Sequence, residues 1–342
     1  MPRGRVRKGS PLFILGSVKC RLQVKKIHIL APGAQSADAL GSSNLASHRL
    51  RLAVAEKGFR DSGECSVLVG DQLTEMPDAL LVGKIGAQQI ESRAPSWLKA
   101  MQEVRNAGGR VILDYTDNHL GHQSVMTAFY SQAVSIAQRI VVPSEGMRAA
   151  LPSALQTRVT VIPDALEYEP VPPRQTSTKI GVWFGHGSNV PYLLDYFRQH
   201  GVAHYFDSLI ICTDATTLAA ISRSQALKCM PPVRGIVWSV ENQRKALLAA
   251  DFAFLPVGLH DPKKAGAGSN RLVTALCLGL PVLTQRLNSY ASFDGLFIDL
   301  DRSDWLSLLS DLSSIREIVV RAQNERVLKY MPKALEPYWL AL

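Results

Sequence analysis

Residues 247–288, LLAADFAFLPVGLHDPKKAGAGSNRLVTALCLGLPVLTQRLN, decide how this chain folds. A short apolar run at 252–256 is followed by a loop that holds Lys263, Lys264 and small residues spaced by glycine. Ser269, Asn270 and Arg271 mark a helix start. An apolar helix, a Gly279-Leu280-Pro281 turn and a second short strand at 281–284 complete the unit. Strand, helix and strand in this order belong to a parallel sheet. A basic, glycine-rich loop that runs into a helix N-terminus is also an anion site. The first N–H groups of the helix have no carbonyl partner, and the positive end of its dipole faces the same point. The segment therefore predicts a phosphate or diphosphate group bound in the second half of an α/β protein.

Outward from this segment the alternation repeats. In the first half, strands are expected at 27–31, 66–69, 79–82, 111–113, 139–142 and 159–162. Helices are expected at 49–57, 96–106, 125–138 and 145–151, the last capped by Ser144, and a loop at 32–47. A Pro-rich polar stretch follows. The pattern then restarts, with strands at 180–184, 208–212, 233–238, 252–256, 281–284 and 297–299. Helices are expected at 192–199, 242–249, from Asn270, at 305–312 and at 315–330. The reading is α/β, with two doubly wound, Rossmann-like domains facing across a cleft. Residues 1–24 form a basic tail, 25–170 an N-terminal domain and 171–178 a linker. Residues 179–330 form a C-terminal domain, and 331–342 a segment that packs back on the first domain. Ligands of such folds bind outside the carboxyl ends of the strands.

The chain has 342 residues and a net charge of +9. Eight Lys and Arg and no acid lie in residues 1–26, which leaves 30 basic against 29 acidic residues elsewhere. The near-neutral body argues against a nucleic-acid partner, whose phosphates call for a basic face. The basic head reads as a solvated tail, with an electrostatic tether to anionic lipid as the alternative. No stretch approaches the roughly 20 apolar residues of a membrane span, and the apolar residues 11–18 are followed by Lys19, Cys20 and Arg21 rather than by a cleavage site. Five scattered cysteines with no CxxC pair suit a reducing cytoplasm and argue against structural zinc. The expected location is cytoplasmic, with peripheral contact to the inner membrane if the head acts as a tether.

Several segments, taken in order, resemble the GT-B glycosyltransferases, and in particular the retaining, nucleotide-sugar-dependent group 1 family. IVVPSEGMRAAL and VTVIPDALE resemble the end of that family's N-terminal domain, with Asp164 where Asn is usual. KIGVWFGHGS resembles the first strand and glycine loop of its nucleotide domain. AADFAFLP and SNRLVTALCLGLPVLT resemble its later strand and its helix–strand pair. The resemblance runs from about Lys25 to Lys333. It implies transfer of a sugar from a nucleotide-sugar donor to a saccharide, a lipid-linked saccharide or a polysaccharide precursor, with no cofactor beyond that substrate. One departure stands out. The family's paired glutamates, which hold the ribose and donor sugar, are missing. Thr274 or Ala275 stands at the second position, and Gly or Ala at the first.

The residues themselves suggest roles, each with a plainer alternative. Lys263, Lys264 and Arg271 supply cations for a diphosphate leaving group, with Ser269 and Asn270 beside them; the alternative is a solvated loop and an ordinary helix start. Gly185 and His186 follow a strand and could bring backbone N–H groups to a phosphate, or His186 could simply cap a helix. Gly41, Ser42, Ser43 and Asn44 form an acceptor-side loop, or a flexible connection. Asp117 and His119, with His122 close behind, follow a strand and could orient or deprotonate a sugar hydroxyl, or could be a cap and a surface histidine. Asp299 and Asp301 spell a metal-binding D-x-D, but read better as the approach to a helix cap, so no metal site is expected. Trp238 and Glu241 could pack on a nucleotide base, or Trp238 could be core. The competing functions are a nucleotide-sugar epimerase and a catalytically degenerate binding module.

Overall fold

Each half of the chain builds one parallel sheet from alternating strands and helices. The computed structural model describes residues 25–121, 123–174, 178–259, 266, 268–308 and 312–342. The first half contains β1 (Lys25–Leu30), α1 (Ala37–Gly41), a π-helical turn His48–Leu52 that runs into α2 (Ala53–Asp61), β2 (Cys65–Gly70) and β3 (Ala79–Val82). It continues with α3 (Ile90–Asn106), β4 (Arg110–Asp114), α4 (Thr127–Ile136), β5 (Arg139–Val142), α5 (Glu145–Ala150) and β6 (Val159–Val161). The second half contains β7 (Ile180–Phe184), α6 (Val190–His200), β8 (Ser208–Thr213), α7 (Ala215–Ser222), β9 (Val233–Val237), α8 (Val240–Leu248) and β10 (Phe252–Phe254). It ends with α9 (Asn270–Cys277), β11 (Val282–Thr284), β12 (Ile298–Asp299), α10 (Trp305–Leu308), α11 (Leu312–Glu325) and α12 (Pro332–Leu340).

The first sheet has the order β2-β1-β3-β4-β5-β6 and the second β12-β11-β10-β7-β8-β9. Every strand pair is parallel. The strand order reverses between β1 and β3 in one sheet and between β7 and β10 in the other. Crossovers leave on opposite faces at such a point and open a crevice at the carboxyl ends. Central strands such as β3, β8 and β10 are buried along nearly their whole length, which is why they read as continuous apolar runs rather than alternating ones.

Local chemistry explains where the elements differ from expectation. Residues 37–41 were expected within a loop but form α1, because the Ser36 side chain accepts the Ala39 N–H at 3.2 Å and caps the turn. α7 has no expected counterpart; Asp214 caps it by accepting the Thr217 N–H at 2.8 Å. α3 begins at Ile90 rather than at 96 and carries Pro95 inside it, so the helix gives up one backbone bond there. The helix expected over 49–57 divides into the π-helical turn and α2.

α12 returns to the first half. Leu335 and Trp339 are buried beside Ile29, Phe59 and Leu81, burial that contributes about 2–3 kcal/mol for each side chain. The connection between the sheets is pinned to the second half: the Val171 N–H donates to the Cys277 carbonyl at 2.7 Å, and Arg174 to that of Ala250 at 3.0 Å.

Candidate functional site

A cavity of about 490 Å³ lies between the two halves, with the segment after α1 on one side and the end of β7 and start of α9 on the other. Its C-terminal wall is built from the end of β7 and the start of α9. β7 stops at Phe184 and the chain turns at Gly185, whose φ of +144° lies where side-chain-bearing residues rarely go. A Cβ there would stand 3.3 Å from Cδ of Arg271. The glycine thus admits both the turn and the arginine stem laid across it. Arg271 is the second residue of α9 and lines the cavity. Its Nη1 is buried and has no hydrogen-bond partner among the described residues. Burial lowers its pKa below the ordinary guanidinium value, although an arginine stays charged at any physiological pH. Tyr290 is buried within electrostatic reach of this cation.

The neighbours of Arg271 are more fully committed. The Thr274 hydroxyl donates to Asn270 Oδ1 at 3.1 Å. The Ser269 hydroxyl lies 3.4 Å from that of Tyr330. His186 accepts the Ser188 N–H on Nδ1 at 3.2 Å and caps the short turn Gly187–Asn189, so one ring nitrogen is spent on structure. Thr274 lines the cavity, whereas Ala275 is core; of the two positions considered for the second glutamate, Thr274 is the one facing the site. Gly266 lies against α5, and a Cβ there would come within 2.5 Å of the Met147 methyl.

The N-terminal wall comes from the segment after α1. Asn44, Leu45, Ala46, Arg49 and Leu50 line the cavity. Gly41, Ser42 and Ser43 do not. Gly41 ends α1, the Ser42 hydroxyl donates to the Asp38 carbonyl at 2.8 Å, and the Ser43 carbonyl accepts from Arg49 at 2.5 Å. Trp238, half-buried, lines the far end, while Glu241 is exposed and paired with Lys245 on α8, away from the cavity. Asp117 and His119 follow β4 on the same edge of the sheet but outside the cavity lining. Asp117 pairs with Lys84, and the His119 ring stacks on Tyr130 with centroids 4.5 Å apart. Lys263, Lys264 and His122 lie outside the described residues.

Two arginines with no role in the sequence reading matter here. Arg49 reaches across the cavity mouth. Arg51 is 1% exposed and bonds Asp114 through Nε and Nη2 at 2.7–3.0 Å, Asp164 at 3.0 Å and the Ile162 carbonyl at 2.7 Å. Burial alone would lower the Arg51 pKa, but the charges of Asp114 and Asp164 outweigh it and the net shift is upward. The available signal was the alternation RLRL: residues two apart on a helix point to nearly opposite sides, so one arginine had to face inward.

The D-x-D begins in β12, the edge strand of the second sheet. The Asp301 N–H donates to Asp299 Oδ1 at 3.1 Å, at the edge strand β12. Among the described residues no group of three or more His, Cys, Asp and Glu is placed to hold a metal ion. No described helix is long and apolar enough to cross a membrane.

No family model matches the chain, and no curated protein does. Solved structures do. An alpha-glucosyltransferase in complex with UDP aligns with a TM-score of 0.58 at 12% identity, covering 93% of this chain and 99% of that one. AviGT4, a glycosyltransferase involved in avilamycin A biosynthesis, aligns at 0.53 and 14% identity, over 93% and 96%. TarM aligns at 0.56 and 11% identity over 78% of this chain, and this match spans 55% of TarM's length. At these identities the likeness is one of fold. Two parallel six-stranded sheets facing across a cleft give this chain the GT-B architecture.

Proposed function

We propose that the protein is a glycosyltransferase that draws a sugar from a nucleotide-sugar donor and passes it to a saccharide acceptor. The observation that carries this reading is Arg271: a buried cationic nitrogen with no hydrogen-bond partner among the described residues, at the first turn of α9, on the wall of a cavity of about 490 Å³. A buried charge is costly unless an anion meets it, and a diphosphate beside the helix N-terminus would do so. Breaking the bond between the anomeric carbon and the phosphate oxygen leaves negative charge on the nucleoside diphosphate. Arg271 and the N–H groups of α9 are preorganised to stabilise that charge as it develops. Lys263 and Lys264, a few residues before Arg271 in the sequence, are assigned to the same charge.

On the acceptor side we assign Asp117, which lies with Lys84 past the carboxyl ends of β3 and β4 and can orient a hydroxyl. His119, packed on Tyr130, supports that loop. Asn44 contacts the ligand from the N-terminal wall, and Gly41, Ser42 and Ser43 set its position. The reaction is read as retaining and metal-independent, with the leaving diphosphate taking the acceptor's proton. The near-neutral body favours a saccharide over a nucleic-acid acceptor.

A second reading has its own support. Neither position considered for the second glutamate, Thr274, bonded to Asn270, or Ala275, in the core, supplies a carboxylate to the donor. A module that binds a nucleotide sugar without turnover fits those two facts. Thermal shift with UDP, GDP, ADP and CMP, followed by incubation with nucleotide sugars and acceptor in a chelator, separates the cases. Acceptor-dependent release of nucleoside diphosphate is expected. Binding without release points to the module, an isomerised sugar to an epimerase, and no nucleotide binding at all overturns the reading.

A further inference from the structure

Arg49 joins the two walls of the cavity. It leaves the π-helical turn with its side chain only 8% exposed and meets groups from three parts of the chain. Nε pairs with the Glu167 carboxylate, in the segment that crosses between the sheets. Nη1 donates to the Ser43 carbonyl at 2.5 Å. Cζ stands 5.6 Å from the centroid of the Trp238 ring. Trp238 directly follows β9, so a cation from the first half of the chain covers an aromatic face of the second.

The ring is held in turn by its polar edge. Its Nε1–H donates to Gln243 Oε1 at 2.8 Å, Gln243 Nε2 donates to the Tyr168 hydroxyl at 3.2 Å, and that hydroxyl donates to the Val240 carbonyl at 2.8 Å. Tyr168 adjoins Glu167. Two successive residues of the crossing segment therefore brace the two partners, Glu167 the cation and Tyr168, through Gln243, the ring. A planar guanidinium can stack on a ring and keep an in-plane bond to a carboxylate, a geometry an ammonium holds less well.

We propose that Arg49 and Trp238 form a strut across the cleft that sets the spacing of the two cavity walls, and that Arg49 is thereby a positioning residue for the ligand held at Arg271. The second clause rests on the function proposed above; the strut does not. Contacts between two sheet domains are commonly modest, and relative motion is their default. One braced contact at the cavity mouth then has leverage over what both walls can touch at once.

The test uses the full chain as wild type, Arg49→Ala, Arg49→Lys, Trp238→Leu and the double variant. Hydrogen exchange over 44–52 and 237–243, and the red edge of tryptophan emission, report the strut without any ligand. In Arg49→Ala both exchange segments should speed up. The emission should shift red only where Trp238 is present. UDP, or whichever nucleotide the wild type binds best, should bind about 5- to 10-fold more weakly, the scale of a partly desolvated cation–π contact. The double variant should lose no more than the larger single loss, and Arg49→Lys should recover only part. Exchange and emission unchanged in Arg49→Ala overturn the strut. Loosened walls with wild-type nucleotide affinity overturn the positioning role. A wild type that binds no nucleotide overturns the functional reading alone, because exchange and emission still decide on the strut.

Discussion

Arg51 buries its whole guanidinium and Arg271 buries Nη1, one in each half of the chain, and their surroundings are opposite. Arg51 meets two carboxylates and a carbonyl, and lies over the Trp339 ring of α12 at 5.5 Å. Arg271 lies against Gly185, with Nη1 buried and no partner among the described residues. A buried charge whose donors are satisfied is structure. One left unsatisfied on a cavity wall is where we propose a ligand, because an anion would offset its desolvation cost. The satisfied arginine ties the π-helical turn, the first sheet and α12 together; Arg271 lines the cavity.

The contrast is broken most directly at Arg51. Arg51→Ala leaves Asp114 buried without its counter-ion and should cost about 3–5 kcal/mol, read as a large fall in denaturant midpoint. A variant as stable as wild type would show the network to be dispensable. Arg271→Ala should behave in the reverse sense. Stability should stay within about 1 kcal/mol of wild type, because an uncompensated charge is removed along with the stem. Sugar transfer and nucleoside diphosphate affinity should fall about 10²-fold, and Arg271→Lys should recover only part. Full turnover in Arg271→Ala would return the cavity to ordinary surface.

Gly185→Ala probes the backbone beneath that arginine. It forces a side chain onto a φ of +144° and places a Cβ 3.3 Å from Arg271 Cδ. A loss of about 1–3 kcal/mol in stability is expected, together with weaker nucleotide binding as Arg271 shifts. Loss of stability with unaltered binding would separate the turn from the site.

The mildest effect is one of pH. His28 and His48 are 1% and 2% exposed, and neither ring has a hydrogen-bond partner among the described residues. Burial lowers both pKa values from the ordinary 6.5, helped at His48 by the charge of Arg49. The folded state therefore binds fewer protons than the unfolded state below about 6.5. Stability should be level above that pH and decline below it. Replacing His28 and His48 by Gln should flatten the acid limb, and an unchanged limb would assign it to the carboxylates instead.

The two-sheet architecture was legible in the sequence because buried parallel strands must be apolar throughout and helices must be amphipathic. Those periods survive in one dimension, as at 180–184 and 252–256. The start of α9 at Asn270 was legible too, since a helix start after a glycine-rich loop is a local feature. α1 and α7 were not: their caps, Ser36 and Asp214, sit in polar stretches indistinguishable from loop. Only the tertiary structure could separate Arg49 from Arg51, two residues apart in one run. It sends one across the cleft to Trp238, 189 positions away, and the other to Asp114 and Asp164. Charge type is written in the sequence, but whether a charge is satisfied depends on which distant groups the two folded sheets bring within reach, and that decides which arginines hold the fold and which is left facing the cavity.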